Sequence, residues 1–304
     1  MSKTKKLVIG LLAIIIILPL SVFGYLYFKI NSMYDKEEAK DISNKIEKVE
    51  SVDGITNILL VGVDGNNLER GNRSDAMMIL TLDEKNKDIR LTSLARDTYV
   101  DIPGYSTEKL THAYAYEGAS LLLQTINENF GIAIDKYAAV SFDSFKSIID
   151  SLGGVEIDVA SKEVDQIPGV TNAGVQTLNG EQALAYSRIR YIDSAYERDN
   201  RQRKVIQSTA NKLLQSGSSN ILQLGNNILR YTKTNITPME LVGLVNKAIK
   251  INDKDFKQIE FPFESHRTGL IISDKTGWVI EWDKDYNREQ LHNFIFDYEN
   301  YKPE

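Results

Sequence analysis

Arg188, Arg190, Arg198, Arg201 and Arg203 fall within sixteen residues of one another. A guanidinium keeps its charge at any physiological pH and offers a planar fork of donors. Several forks together suit a multiply charged oxyanion, above all a phosphate or diphosphate. The rest of the chain leans the other way, with 36 Lys plus Arg against 42 Asp plus Glu and a net charge of −6 over 304 residues. That balance argues against bulk attraction to nucleic acid and makes the basic run a local site. The arginines could instead pair with Asp193, Glu197 and Asp199 on a solvated face, where exposed pairs contribute about 0–1 kcal/mol each. With Lys204 the cations outnumber those acids, and burying the excess without a ligand would be costly.

Carboxylates supply the complementary chemistry. Asp64 ends an apolar run and Asp75 closes Arg73-Ser74-Asp75. If the two meet at a sheet edge, their oxygens suit a hard divalent cation such as Mg²⁺. A cation bridging carboxylates and a diphosphate, with arginines on the remaining oxygens, would stabilise the charge of phosphoryl transfer. A lone strand-end aspartate is more commonly a turn residue, so the weight rests on the pair. Asp97, beside Arg96, reads either as a clamp on that arginine or as a general base. His112, His266 and His292 have no metal-ligand spacing and no nucleophile beside them in motif form, and no catalytic role is assigned to them.

The elements that must position these groups are local. Ile58 to Val63 is a short apolar run stopping at Asp64-Gly65, which predicts a buried strand and a turn. Ala76 to Leu82, the charged stretch from Asp83 to Asp88, and Ile89 to Leu94 predict a hairpin. Its antiparallel pairing brings Arg73 and Asp75 to the same sheet edge as Arg96 and Asp97. Helices are expected over Glu117 to Phe130, with Gly131 as C-cap, and over Ser141 to Leu152. Val155 to Val159 alternates like a strand, and Leu178 to Tyr186 reads as a short helix followed by an extended segment. Thr237-Pro238-Met239-Glu240 combines a capping box with proline at the first helical position and opens a helix to about Ile251. Gln258 to Phe263 and Trp278 to Trp282 read as strands, and Arg288 to Tyr298 as a closing helix. Interleaved strands and helices predict an α/β fold with a central mixed, partly antiparallel sheet flanked by helices.

A helix from Asp199 to Leu214 would place Arg198, Arg201 and Gln202 on one face near its N-terminus. Backbone donors and macrodipole there favour the same anion as the guanidinium forks. Arg188 and Arg190 point the same way only if their segment is extended.

Leu7 to Phe28 is 22 residues without a charge, roughly 33 Å as a helix and enough to span a bilayer. The apolar region exceeds that of a cleavable signal peptide, and no small-residue cleavage pattern follows it. The expected organisation is a short cytoplasmic tail at 1–6, a transmembrane signal anchor at 7–28, a charged, solvated helical stalk or linker at 29–52, and one catalytic domain at 53–304. The flanking lysines do not fix the orientation, but with no second spanning segment the bulk of the chain lies on one side, for which the outside is favoured. The absence of cysteine fits an exported domain without requiring one.

The motifs in their order are Asn57 to Asp64, Arg73-Ser74-Asp75-Ala76-Met77-Met78, Ser93 to Val100, Lys109-Leu110-Thr111-His112-Ala113-Tyr114, Asp150 to Val155, and Leu178-Asn179-Gly180 through Gln202. This succession, spanning about 53–210, resembles the LytR-CpsA-Psr family of cell-envelope proteins. The resemblance implies a single-pass, type II membrane protein of a Gram-positive bacterium with an extracellular catalytic domain. It also implies a phosphotransferase moving teichoic acid or capsular polysaccharide from an undecaprenyl-pyrophosphate carrier to a peptidoglycan sugar hydroxyl. On that resemblance Asp64 and Asp75 would hold Mg²⁺ or Mn²⁺. Arg73, Arg96, Lys109, Arg188, Arg190, Arg198, Arg201 and Gln202 would bind the pyrophosphate, and Asp75, Arg96, Asp97 and Arg198 would act at the reacting centre. On the resemblance, the helix over 117–130 or the apolar faces near Phe142 and Phe145 would contribute to a tunnel for the lipid, and core packing explains those residues equally well. Glu197 stands where the family usually has glycine, which bears on the turn's shape. Two other readings use the same residues: a non-enzymatic regulator or scaffold that binds polyprenyl phosphates or wall polymers, and a lipid-pyrophosphate hydrolase.

Overall fold

The computed structural model describes residues 33–46, 52–65, 67–215, 232–274 and 276–303. The apolar segment Leu7 to Phe28 lies outside the described residues; among those described, no helix is long and apolar enough to cross a membrane.

The central sheet is built on the expected hairpin. Strand β1 (Ile55–Val63) pairs antiparallel with β2 (Ser74–Asp83), which pairs antiparallel with β3 (Asp88–Leu94). The turn between β2 and β3 is held by Asp83, whose Oδ1 accepts the backbone N–H groups of Lys85 and Asn86, both at 2.9 Å. Strand β6 (Tyr137–Ser141) adds parallel to β1, and β9 (Thr232–Thr234) adds antiparallel to β6. On the other side β10 (Lys257–Phe261) adds parallel to β3, completing the order β10-β3-β2-β1-β6-β9. The carboxyl ends of β1, β3, β6 and β10 thus share one edge with the amino end of β2.

Alternation along β1 sends Leu59, Val61 and Val63 to one face and Ile58 and Leu60 to the other. The first face is covered by α2 (Thr111–Glu117), α3 (Ala119–Phe130) and α8 (Lys284–Phe296), whose Leu122, Ile126, Leu291 and Phe294 are fully buried. Each such side chain stabilises by roughly 1.5–3 kcal/mol. The opposite face is covered by α6 (Ala195–Gln215) and α7 (Pro238–Ile251). The capping box of Thr237 and Glu240 opens α7 as its sequence requires.

A third cluster joins α4 (Phe142–Ser151), α5 (Gly180–Ser187) and α6 to a separate ribbon of β7 (Val155–Val159) and β8 (Gly174–Leu178). Two further ribbons pair β4 (Tyr99–Asp101) with β5 (Thr107–Lys109), and β11 (Arg267–Ile271) with β12 (Trp278–Trp282). The fold class matches the expectation of a mixed, helix-flanked sheet.

Three local expectations are corrected. The helix expected over 117–130 is broken at Gly118, whose φ of +77° separates α2 from α3. The helix expected from Asp199 starts at Ala195, so Arg198 lies inside its first turn. The charged stretch expected as a solvated stalk is helical, but its helix α1 (Lys36–Lys45) is docked on the domain. Ile42 is buried in the main core, Glu38 accepts the N–H of Ser120, and Asp35 and Met33 bond to the Thr234 backbone. One apolar anchor and a chain of backbone bonds fix a helix whose composition looks soluble.

Candidate active site

The shared edge of the sheet gathers the predicted acids and bases. β1 and β2 are out of step between Gly62 and Val63: Gly62 opposes Ala76 while Val63 opposes Ser74, so Asp75 is the extra residue of a bulge. Asp64 follows directly, its N–H donating to the Arg73 carbonyl at 2.8 Å. Asp64 and Arg73 are exposed and Asp75 is half-buried.

Arg96 leaves the carboxyl end of β3 and donates from Nη1 to Asp75 Oδ1 at 2.6 Å and from Nε to Asp97 Oδ2 at 3.4 Å. Lys109, from the end of β5, lies 3.2 Å from the other oxygen of Asp97. Each Asp97 oxygen is therefore occupied by a different cation. Burial pulls the Arg96 guanidinium down, but the attraction of Asp75 and then Asp97 outweighs it and holds it above its ordinary value. Thr111, the first residue of α2, donates its N–H to the Arg96 carbonyl at 3.0 Å and its hydroxyl to the Ser74 carbonyl at 2.8 Å. This fastens the two halves of the cluster to one helix.

The arginine run divides into exposed and buried members. Ile189 is buried between the exposed Arg188 and Arg190, but the pair is not an extended segment: Arg188 caps α5 with φ −106° and ψ 1°, and its N–H donates to the Ala185 carbonyl at 3.1 Å. The Arg188 guanidinium lies 4.5 Å from the centroid of the Phe142 ring, and the Phe142 N–H donates to the carbonyl of Gly65, beside Asp64. Tyr191 follows with a φ of +68° and 97% exposure, a left-handed turn that redirects the chain into α6. Arg198, half-buried, donates to the neighbouring Asp199 at 2.9 Å. Gln202 is half-buried on the same helix.

Arg201 differs from the rest: its side chain is 1% exposed, bound to Glu163 Oε1 at 2.6 Å and to Asp193. Burial lowers its affinity for the proton, and the bonds to Asp193 and Glu163 more than restore it. Among the described residues its Nη1 is buried without a hydrogen-bond partner. Arg203 is also buried, donating to Ser93 Oγ at 3.0 Å and Gln258 Oε1 at 3.2 Å, which ties α6 to β3 and β10.

The structure therefore brings Asp75, Arg96, Asp97 and Lys109 into one bonded cluster with Asp64 and Arg73 beside it, and joins Arg188 to that edge through Phe142. It does not place Arg201 on an open surface. Sequence reasoning missed Glu163, which lies 38 positions from Arg201 in a single 3₁₀ turn and carries no local signal. The apolar residues of α3 are core residues, and Phe145 packs in the α4–ribbon cluster.

The LytR_cpsA_psr family profile matches residues 21–287. The chain is 37% identical over 223 residues to the polyisoprenyl-teichoic acid–peptidoglycan teichoic acid transferase TagU of Enterococcus faecalis, covering 70% of this chain and 73% of that one. It is 31% identical over 272 residues to the regulatory protein MsrR of Staphylococcus aureus, covering 86% and 81%. Among solved structures, TagT of Bacillus subtilis with bound octaprenyl pyrophosphate lipid superposes with a TM-score of 0.63 at 26% identity, over 82% of this chain and 94% of that one. The chain belongs to the LytR-CpsA-Psr family.

Proposed function

We propose that this protein transfers an anionic glycopolymer from a polyprenyl-pyrophosphate carrier to a sugar hydroxyl of peptidoglycan. One observation carries the reading: Arg96 and Lys109 are held by Asp75 and Asp97 at the sheet edge where Arg73 is exposed. The relatives' names and the lipid in the TagT structure supply the substrate class.

In the reaction the acceptor hydroxyl gives up its proton, to solvent or to a carboxylate oxygen at this edge, as its oxygen forms a bond to the phosphorus that carries the polymer. The bond from that phosphorus to the bridging oxygen breaks, and polyprenyl phosphate leaves with the electron pair. Negative charge grows on the bridging oxygen and on the phosphoryl oxygens. Arginine forks fixed in place beforehand stabilise that charge without reorganising. Asp75 and Asp97 orient Arg96, and Asp97 also orients Lys109. Arg73, Arg188, Arg190 and Arg198 extend the cationic surface, with Gln202 on the helix face beyond. Arg201 is buried down to its Nη1, so its principal part is to hold the start of α6 through Glu163 and Asp193.

Asp64 and Asp75 are the residues that would hold Mg²⁺ or Mn²⁺. The donor set fits: Mg²⁺ is usually held by one or two carboxylates with waters and substrate phosphate oxygens. When bound, the ion would neutralise diphosphate oxygens opposite the arginines.

The apolar run Leu7 to Phe28 supports a single-pass anchor, and an extracellular domain, proposed because peptidoglycan is the acceptor, would then meet its lipid-linked substrate in the membrane plane. The test is full-length protein in detergent with a lipid-pyrophosphate-linked saccharide, Mg²⁺ and peptidoglycan fragments, following covalent product by mass spectrometry. Saccharide phosphate on the glycan, lost in Arg96→Ala, is the expected result. Release of saccharide phosphate to water alone would make the protein a hydrolase. The name of MsrR favours a regulator as second reading; unchanged polymer attachment in cells carrying Asp75→Ala would support it.

A further inference from the structure

Beside the diphosphate cluster, on the segment that supplies Asp97 and Lys109, lies a group of side chains that the transfer chemistry leaves unused. Tyr105 and Tyr116 stack with centroids 4.5 Å apart and planes 16° from parallel. Tyr116 packs on the core, while Tyr105 covers it from outside and stays 47% exposed. Both rings are pinned at their hydroxyls: Tyr105 donates to Glu117 Oε1 at 3.0 Å and Tyr116 to Glu108 Oε2 at 2.7 Å. The same Glu108 oxygen is 2.6 Å from His112 Nδ1, and Glu108 Oε1 accepts from Ser106 at 3.2 Å.

The group adjoins the site through backbone bonds. His112 and Tyr116 lie one turn apart on α2, the helix whose Thr111 bonds the backbone of Ser74 and Arg96. The loop before Arg73 is fastened to the same helix by Gly71 N–H donating to the Ala115 carbonyl at 2.9 Å. Burial and the bond to Glu108 raise the Tyr116 phenol to about 12, and the Arg73 charge is close enough to oppose them.

We propose that the Tyr105–Tyr116 stack, with Glu108 and His112, is a saccharide subsite adjoining the diphosphate cluster and accepting a pyranose ring; this rests on the transferase reading. A pyranose presents an apolar C–H face and a rim of hydroxyl or acetamido groups. A fixed, half-exposed aromatic plate beside a carboxylate and an imidazole matches both. Lys45 pairs with Glu117 at 2.5 Å and the Arg73 charge is near Tyr116, so the preference for a sugar rests on the ring face and on the Glu108 and His112 polar groups, not on net charge. A metal is a poor occupant, since one Glu108 oxygen is already shared between His112 and Tyr116.

The ring contributes by contact alone, which separates Tyr105→Ala from Tyr105→Phe. Full-length protein in detergent is assayed with two saccharides varied in turn: a soluble N-acetylglucosamine–N-acetylmuramic acid tetrasaccharide as acceptor, and a short-prenyl pyrophosphate-linked disaccharide as donor. Tyr105→Ala is expected to raise KM for one of them by roughly three- to tenfold, the range of an aromatic contact, with kcat little changed. Tyr105→Phe keeps the ring on Tyr116 and loses only the bond to Glu117, so its KM should shift less than that of Tyr105→Ala. A shift in acceptor KM assigns the subsite to the peptidoglycan sugar, and a shift in donor KM to the polymer's linkage sugar. Saturation-transfer NMR with the tetrasaccharide and, separately, the disaccharide reads binding without turnover. Tyr105-dependent saturation transfer in a protein with no transferase activity would keep the subsite and remove the transferase reading. Unmoved KM values together with saturation transfer unchanged in Tyr105→Ala would overturn the subsite.

Discussion

Arg96 Nη1 lies 2.6 Å from Asp75 Oδ1, joining the carboxyl end of β3 to the bulge that opens β2. A guanidinium can satisfy Asp75 with one nitrogen and Asp97 with another; a lysine ammonium is a point charge without that fork. Arg96→Lys should therefore lose transfer nearly as fully as Arg96→Ala, by about 10²–10³ in kcat, the scale of removing one fixed donor from a developing oxyanion. The side chain is one-quarter exposed, so thermal unfolding should change little. Wild-type turnover in Arg96→Lys would remove the fork from the mechanism.

Asp75 serves two partners in the proposed site, Arg96 and a divalent ion, whereas the side chain of Asp64 has only the ion. Both Asp64→Ala and Asp75→Ala should raise the Mg²⁺ concentration needed for half-maximal transfer. Excess Mg²⁺ should restore Asp64→Ala further, because Arg96 is still aimed there. Titrating Mg²⁺ into chelator-treated protein measures this. Activity that survives chelation in the wild type would dismiss the ion.

Arg198 and Arg201 are three positions apart in sequence and should fail in different ways. Arg201 is buried against Glu163 and Asp193, and removing one partner of a buried pair costs about 3–5 kcal/mol. Glu163→Ala should thus lower the unfolding midpoint in denaturant markedly, though Glu163 touches no substrate. Arg198→Ala also takes from the buried Asp199 its ion pair, so it should lose some stability, less than Glu163→Ala, with a far larger loss of activity. Equal stability losses in the two variants would contradict the division of the run into a supporting and a reacting part.

What the sequence discloses here is what is local. The hairpin carrying Arg73, Asp75, Arg96 and Asp97 is legible because alternation fixes both strands and Asp83 fixes the turn. The capping box of Thr237 and Glu240 is legible for the same reason. The pairing of Arg201 with Glu163 is decided by tertiary packing across the α4–ribbon unit, so the composition of the run makes Arg201 look like its neighbours. The docking of α1 is hidden for a related reason: a helix rich in Lys and Glu is held by Ile42, one carboxylate and backbone bonds at its N-terminal end. Gly118 is visible as a residue, but only the packing of α2 against the Ser74 and Arg96 backbone requires the break there.

Glu38 gives the docked helix a dependence on pH. Burial raises its carboxyl above the ordinary 4.5, and its bonds to Ser120 and the Arg70 charge offset this only in part. The folded state then holds the proton more tightly than the unfolded chain does. This contribution to stability is fully present below about 4.5 and is lost as pH rises through the raised folded value. Glu38→Gln keeps an acceptor for the Ser120 N–H without the charge. Relative to the parent, its stability should therefore improve as pH rises through that window and level off above it. Denaturant unfolding of both proteins at acid and neutral pH measures the difference, since every other group titrates alike in the two. A difference independent of pH would mean that Glu38 is solvated and that α1 is not docked through it.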